Sequence, residues 1–254
     1  MSLRKDGYLV HQTTQLDITA LEKEHDLINR TIGASDQRGQ IPWEHCAKHG
    51  PAAPPIQIAR YRVPETGITH EITKHSEARL DITVEGWIHH TMCQLLTTEM
   101  GNVLAEYFKE STIPLKYISG ILPSTGADDS GIWHRDTYEL FTTVHSTQLP
   151  PWYLVCLLYL NEESDAPTQL IPASHQDPRT VEEIVTTTLA PLEIRPKSGQ
   201  LLILDGRTVH RGGPGHRLLG ARKILYTTIH PGWYTEPLDM IPHWIPETFA
   251  SNCE

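Results

Sequence analysis

Apolar residues recur along the chain with two periods, and the change from one to the other divides it. Tyr8-Leu9-Val10 reads as a short strand after a glycine turn. From Asp17 the pattern becomes helical: Asp17 or Thr19 can cap, acidic residues fill the first turn, and Leu21, Leu27 and Ile28 form one stripe that should end by Gly33. Residues 34–66 hold five prolines and read as an irregular loop that could wall a substrate. Arg79–Val84 alternates like a strand, and Trp87, Ile88, Met92, Leu95, Leu96, Val103, Leu104, Tyr107 and Phe108 predict one long amphipathic helix over 87–110. After residue 112 the period shortens to two: 117–122, 132–141, 152–160, 168–172, 201–205, 208–211 and 222–229 read as strands between Gly/Pro turns. Trp152–Leu160 is apolar throughout, as expected of a central strand covered on both faces. Many short strands preceded by helices predict a mainly β protein, a jelly-roll barrel with helices packed outside. The expectation is one domain over 1–254, with a helical, loop-rich part to residue 112 and a barrel core at about 113–235.

Charge narrows the partners. The 21 basic and 31 acidic residues give 21 − 31 = −10, which argues against nucleic acid or an anionic membrane as the main partner. Neither a signal peptide nor an apolar run long enough for a membrane span is read, so a soluble cytoplasmic protein is expected. The four cysteines show no CxxC spacing, and Cys93 and Cys156 sit in apolar runs that suit buried thiols. Whether the chain is a monomer or a homodimer is not readable.

The candidate chemistry lies in Ile132-Trp133-His134-Arg135-Asp136-Thr137-Tyr138-Glu139-Leu140-Phe141, read as a strand. Two residues apart on a strand, His134 and Asp136 face the same way. An imidazole and a carboxylate side by side are two-thirds of a facial metal site of the kind that suits non-haem Fe(II). A second His-x-Asp, His175-Gln176-Asp177, lies in a proline-flanked turn where that geometry is not guaranteed, so His134/Asp136 is favoured. His210, closing a strand-like segment before a Gly-rich turn, is the best candidate for the third ligand; His145, His175, His216 and His230 compete. Arg222 opens an apolar strand twelve residues later, and a guanidinium directed into a barrel needs an anion.

These motifs, with Thr168-Gln169-Leu170-Ile171-Pro172-Ala173-Ser174-His175, His210-Arg211-Gly212-Gly213 and the opening Asp6-Gly7-Tyr8-Leu9-Val10, come in an order that resembles the phytanoyl-CoA dioxygenase family of Fe(II)- and 2-oxoglutarate-dependent oxygenases. The resemblance spans most of the chain. It implies a double-stranded β-helix (cupin-like) in which His134, Asp136 and His210 hold iron and Arg222 binds the distal carboxylate of 2-oxoglutarate. It further implies that Thr168, Arg79 and Trp152 contact the cosubstrate, as in natural-product members. The implied activity is hydroxylation, desaturation or epoxidation of a small organic molecule, with O2 as oxidant and release of succinate and CO2. Two positions depart from the family pattern: Gly131 replaces a Gln, and Ala173 replaces the Gly of a Pro-Gly-Ser-His turn. Related halogenases lack the carboxylate ligand; Asp136 is present, so halogenation is disfavoured. Segments 34–78 and 137–152 are expected around the substrate, and their Trp43, Tyr61, Tyr138, Phe141 and Trp152 suit a mostly apolar small molecule. Two rivals stand beside this reading, a non-catalytic small-molecule barrel and a Zn-dependent hydrolase using the same ligands.

Overall fold

In the computed structural model, residues 2–46, 56–76, 79–109, 115–122, 131–136, 153–162, 167–188, 190–213 and 223–231 are described. The strands at Leu154–Tyr159 (β7) and Gln200–Asp205 (β10) show how the chain builds its layers. Leu154, Cys156 and Leu158, with Leu201 and Ile203, enter one apolar cluster, while Val155, Leu157 and Tyr159, with Leu202 and Leu204, enter another. Alternating side chains thus bury both faces of one sheet.

That sheet contains nine of the described strands. In chain order they are β1 (Tyr8–Gln12), β2 (Glu44–Cys46), β3 (Ile56–Arg62), β4 (Thr69–Ser76), β5 (Arg79–Thr83), β6 (Leu115–Leu122), β7, β10 and β12 (Ile224–Pro231). Side by side they run β1-β10-β7-β12-β6-β5-β4-β3-β2, each antiparallel to its neighbour. A smaller sheet, β11 (His210–Gly212), β8 (Thr168–Leu170) and β9 (Leu192–Ile194), supplies Leu170, Leu192 and Ile194 to the second cluster. The two sheets therefore face each other across that cluster, as a double-stranded β-helix requires. On the outer face of the large sheet lie α2 (Ile18–Gln37), α3 (Trp87–Thr98) and α4 (Gly101–Phe108). Behind the small sheet, α5 (Val181–Thr187) packs Ile184 on Ile171 and Val209. A one-turn α1 (Leu3–Asp6) precedes β1. Among the described residues, no helix is long and apolar enough to cross a membrane.

Asp17 caps α2, accepting from the Ala20 N–H at 3.0 Å, but the helix does not stop at Gly33. Tertiary contacts carry it onward: Ser35 is hydrogen-bonded to Tyr61 (2.7 Å), and Asp36 accepts from the Trp43 indole (2.9 Å) and Lys74 (3.2 Å). These outweigh the cost of about 1 kcal/mol for a mid-helix glycine. The same contacts correct the substrate-wall expectation for Trp43 and Tyr61, which pack on the helix-covered face of the sheet. The segment 34–66 is not irregular throughout either: its end builds β2 and β3, and polar cross-strand partners carry β3 along β4. The expected single helix over 87–110 is two. Thr97 and Thr98 donate back to the carbonyls of Cys93 (2.9 Å) and Gln94 (2.7 Å), a pattern that bends helices, and Gly101 opens the second.

Ala173 stands at φ +62°, in the left-handed region, just before a short 3-10 turn at Ser174–Gln176. A Cβ there costs roughly 1–2 kcal/mol that a glycine avoids. Ala173→Gly should therefore raise stability by about 1 kcal/mol, the gain being reduced by glycine's greater freedom when unfolded. Thermal unfolding checks this, with a rise of roughly 2–4 °C expected for a chain of this size.

Candidate metal centre

Residues 131–136 form an extended segment laid along β11, not the regular strand expected from 132. Backbone N–H groups of Gly131, His134 and Asp136 donate to the carbonyls of Gly212 (2.9 Å), His210 (3.0 Å) and Gly206 (2.8 Å), and His210 returns a bond to His134 (3.0 Å). Only the His134–His210 pair makes a β-bridge, while 137–141 lie outside the described residues. The close approach explains the glycine at 131: a Cβ would sit 3.0 Å from the Gly212 backbone nitrogen. A glutamine there would crowd main chain that cannot yield.

This pairing gathers His134, Asp136 and His210. Among the described residues they are the group of three that could hold a metal ion, with one ligand atom from each lying within 4.8 Å of the others. His134 Nε2 is 3.5 Å from Asp136 Oδ1, and His210 Nε2 is 3.5 Å from Asp136 Oδ2. The imidazole centroids are 4.4 Å apart. Adjacent ligands at about 2.1 Å from one ion stand about 3.0 Å apart in an octahedral site and about 3.4 Å apart in a tetrahedral one, so the set is close to a coordination sphere. The chemistry of the donors fits as well. His134 Nδ1–H donates to the Ile132 carbonyl at 2.7 Å, and His210 Nδ1–H donates to the Thr208 carbonyl at 2.9 Å. Each bond fixes the tautomer whose Nε2 lone pair points at Asp136. Burial holds the His210 imidazole below the usual histidine range, against the pull of Asp136, which favours the neutral form a metal needs.

His175 and Asp177 are not brought to this cluster. The buried His175 donates from Nε2 to the Arg4 carbonyl (2.8 Å), while Asp177 is gripped by Arg179, with Nη2 at 2.6 Å. Arg135, between the two ligands, reaches the Ser174 (3.0 Å) and Asp177 (2.9 Å) carbonyls. The second His-x-Asp turn thus braces the first. Thr168 is buried, hydrogen-bonded to Tyr159 at 2.6 Å, in the strand that pairs with β11. Sequence reasoning missed Tyr159, because nothing marks one phenol within an apolar strand. His230 is buried, its ring tilted by 60° against that of Tyr153 with centroids 4.7 Å apart. Arg79 opens β5, paired with Ser76. Arg222, Trp152, His145, His216, Tyr138 and Phe141 lie outside the described residues.

No protein-family model matches the chain, and no curated protein matches it. Solved structures do. AviO1 from Streptomyces viridochromogenes Tue57 superposes with a TM-score of 0.56 at 17% identity, covering 92% of this chain and 93% of its own. HygX from Streptomyces hygroscopicus, solved with nickel and 2-oxoglutarate bound, gives 0.56 at 13%, covering 92% and 86%. SnoN, a non-haem α-ketoglutarate-dependent epimerase from nogalamycin biosynthesis, gives 0.50 at 15%, covering 89% and 78%. At these identities the likeness is one of fold. Fold and site together define a double-stranded β-helix protein with a 2-His-1-carboxylate constellation.

Proposed function

We propose that the protein is an Fe(II)- and 2-oxoglutarate-dependent oxygenase acting on a small organic molecule of natural-product type. The observation that carries this is the pair of Nδ1-anchored imidazoles facing Asp136. HygX and SnoN, which share the fold, are described with nickel and 2-oxoglutarate and as α-ketoglutarate-dependent, respectively. His134, Asp136 and His210 would hold the metal. Bound there with 2-oxoglutarate, Fe(II) would supply O2-dependent oxidation of a C–H bond, with succinate and CO2 as co-products. The chain's own part is to present two neutral imidazoles and one carboxylate and to leave the other coordination positions open. Because Asp136 takes a protein-ligand position, oxygen insertion or hydrogen removal is the proposed outcome, not halogen transfer. Tyr8, Tyr153 and Tyr226 join Val155, Leu157 and Leu170 between the sheets, an environment that suits a mostly apolar substrate with few polar handles.

Arg222 is assigned to the distal carboxylate of 2-oxoglutarate, with Thr168, Arg79 and Trp152 as further cosubstrate contacts. The test is anaerobic addition of Fe(II) and 2-oxoglutarate, which should give the weak visible charge-transfer band of the ternary complex. A chain that takes zinc but shows no such band would be a hydrolase candidate instead. Arg222→Ala should weaken 2-oxoglutarate binding by about 2–5 kcal/mol, because it leaves a carboxylate unpaired. Metal affinity should hardly change. Unaltered 2-oxoglutarate affinity in this variant would move the anchor elsewhere.

A further inference from the structure

The turn from Asp205 to Thr208 touches two of the three candidate ligands. Its Gly206 carbonyl accepts from the Asp136 backbone N–H at 2.8 Å, and its Thr208 carbonyl accepts from His210 Nδ1 at 2.9 Å. What shapes this turn is a buried ionic cluster against α4. Asp205, 1% exposed, accepts at Oδ1 from the backbone N–H and the Nε of Arg207, both at 2.9 Å. At Oδ2 it accepts from Arg207 Nη2 at 2.6 Å and from the Tyr107 hydroxyl. Burial, and then the Asp205 charge, push the Tyr107 phenol up, so it stays a donor.

The Gly206 carbonyl and the Arg207 N–H are opposite ends of one planar peptide group. When Asp205 holds the N–H end, the carbonyl end is fixed in direction, and that carbonyl carries Asp136. We propose that Asp205 is a positioning residue for the metal centre: its carboxylate, locked by Arg207 and Tyr107, orients the 206–207 peptide that sets Asp136. Stability alone is a weak reason for such a cluster, because well-packed apolar groups often replace a buried ion pair at no loss. The inference rests on the reading of His134, Asp136 and His210 as metal ligands.

Anaerobic Co(II) titration, read by visible d–d absorption, tests it on the wild-type chain, Asp205→Asn and Tyr107→Phe. Asparagine keeps the shape but offers N–H groups where donors already point. Asp205→Asn should weaken Co(II) binding by roughly 10–100-fold and change the d–d spectrum, as loss of outer-shell support does. Tyr107→Phe, which leaves the Arg207 fork intact, should shift both in the same direction but less. Wild-type affinity and spectrum in Asp205→Asn, with only a lower melting temperature, would reduce Asp205 to a structural role and overturn the proposal. If Asp205→Asn does not fold, Tyr107→Phe decides in the same way. A wild-type chain that takes no Co(II) would sink the metal reading itself and this inference with it. That result is distinct from a wild type that binds and a variant that binds equally.

Discussion

His210→Ala abolishes metal binding, His134→Ala and Asp136→Ala do the same, and His175→Ala leaves it intact. This is the expected result of titrating each variant with Co(II) or Fe(II) under anaerobic conditions. Structural metal sites bind with about 10–16 kcal/mol over four ligands, so each ligand is worth about 3 kcal/mol, or more than 100-fold in affinity. In a site with three protein ligands, losing one leaves too little to hold the ion. His210 adds a second reason, because it is 8% exposed and its alanine variant leaves a hole that water must fill. His175 is the control: it is also a buried histidine in a His-x-Asp sequence, but its Nε2 is committed to the Arg4 carbonyl at 2.8 Å. Its loss should lower stability and spare affinity. The reverse pattern, with His175 essential and His210 dispensable, would reject the assignment.

Gly7→Ala should be strongly destabilising although it adds a single methyl group. Gly7 adopts φ +80°, and a Cβ there would lie 2.4 Å from Thr208 Oγ1 and 2.6 Å from His175 Nδ1. The left-handed conformation costs roughly 1–2 kcal/mol and the overpacking roughly 1–3, for about 2–5 kcal/mol in all. Neither neighbour can withdraw cheaply. Thr208 donates to the Gly7 carbonyl at 2.9 Å, and that carbonyl also accepts from the Asp205 N–H at 2.9 Å. Melting should fall by roughly 5–15 °C. Because Thr208 also carries His210, metal affinity should fall with it. An unchanged melting temperature would show that the first seven residues are not docked on the 205–208 turn.

The sequence told more about the parts of the site than about what holds them. His134 and Asp136 are two apart, and that spacing is visible in any extended segment. Their orientation comes from pairing with residues 206–212, which no local pattern announces. The apolar run of β7 predicted a strand covered on both faces, because alternation disappears when both sides are buried. β4 was missed for the converse reason: Thr-His-Glu-Ile-Thr-Lys-His-Ser offers one apolar residue, and its strand state depends on its neighbours. In sequence Asp205 reads as the end of a buried strand and Arg207 as part of the link after it; Tyr107, which completes their cluster, lies on a helix 98 residues away. Ala173, where the resemblance implies a glycine, takes the left-handed backbone conformation that favours glycine.

The position of β1 in the large sheet has a consequence during synthesis. Tyr8 pairs with Leu204, which is 204 − 8 = 196 residues later. At translation speeds of about 5–20 residues per second, roughly 10–40 s pass between the appearance of the first strand and that of its partner. Through that interval Tyr8, Leu9 and Val10 have no native sheet to join, and Gly7 lacks the 205–208 turn on which it docks. Such long-range pairing also slows the final closure, since the loop entropy is lost before the contacts form. Soluble yield in a cell should therefore depend on how well these early apolar residues are shielded until their partner strand emerges.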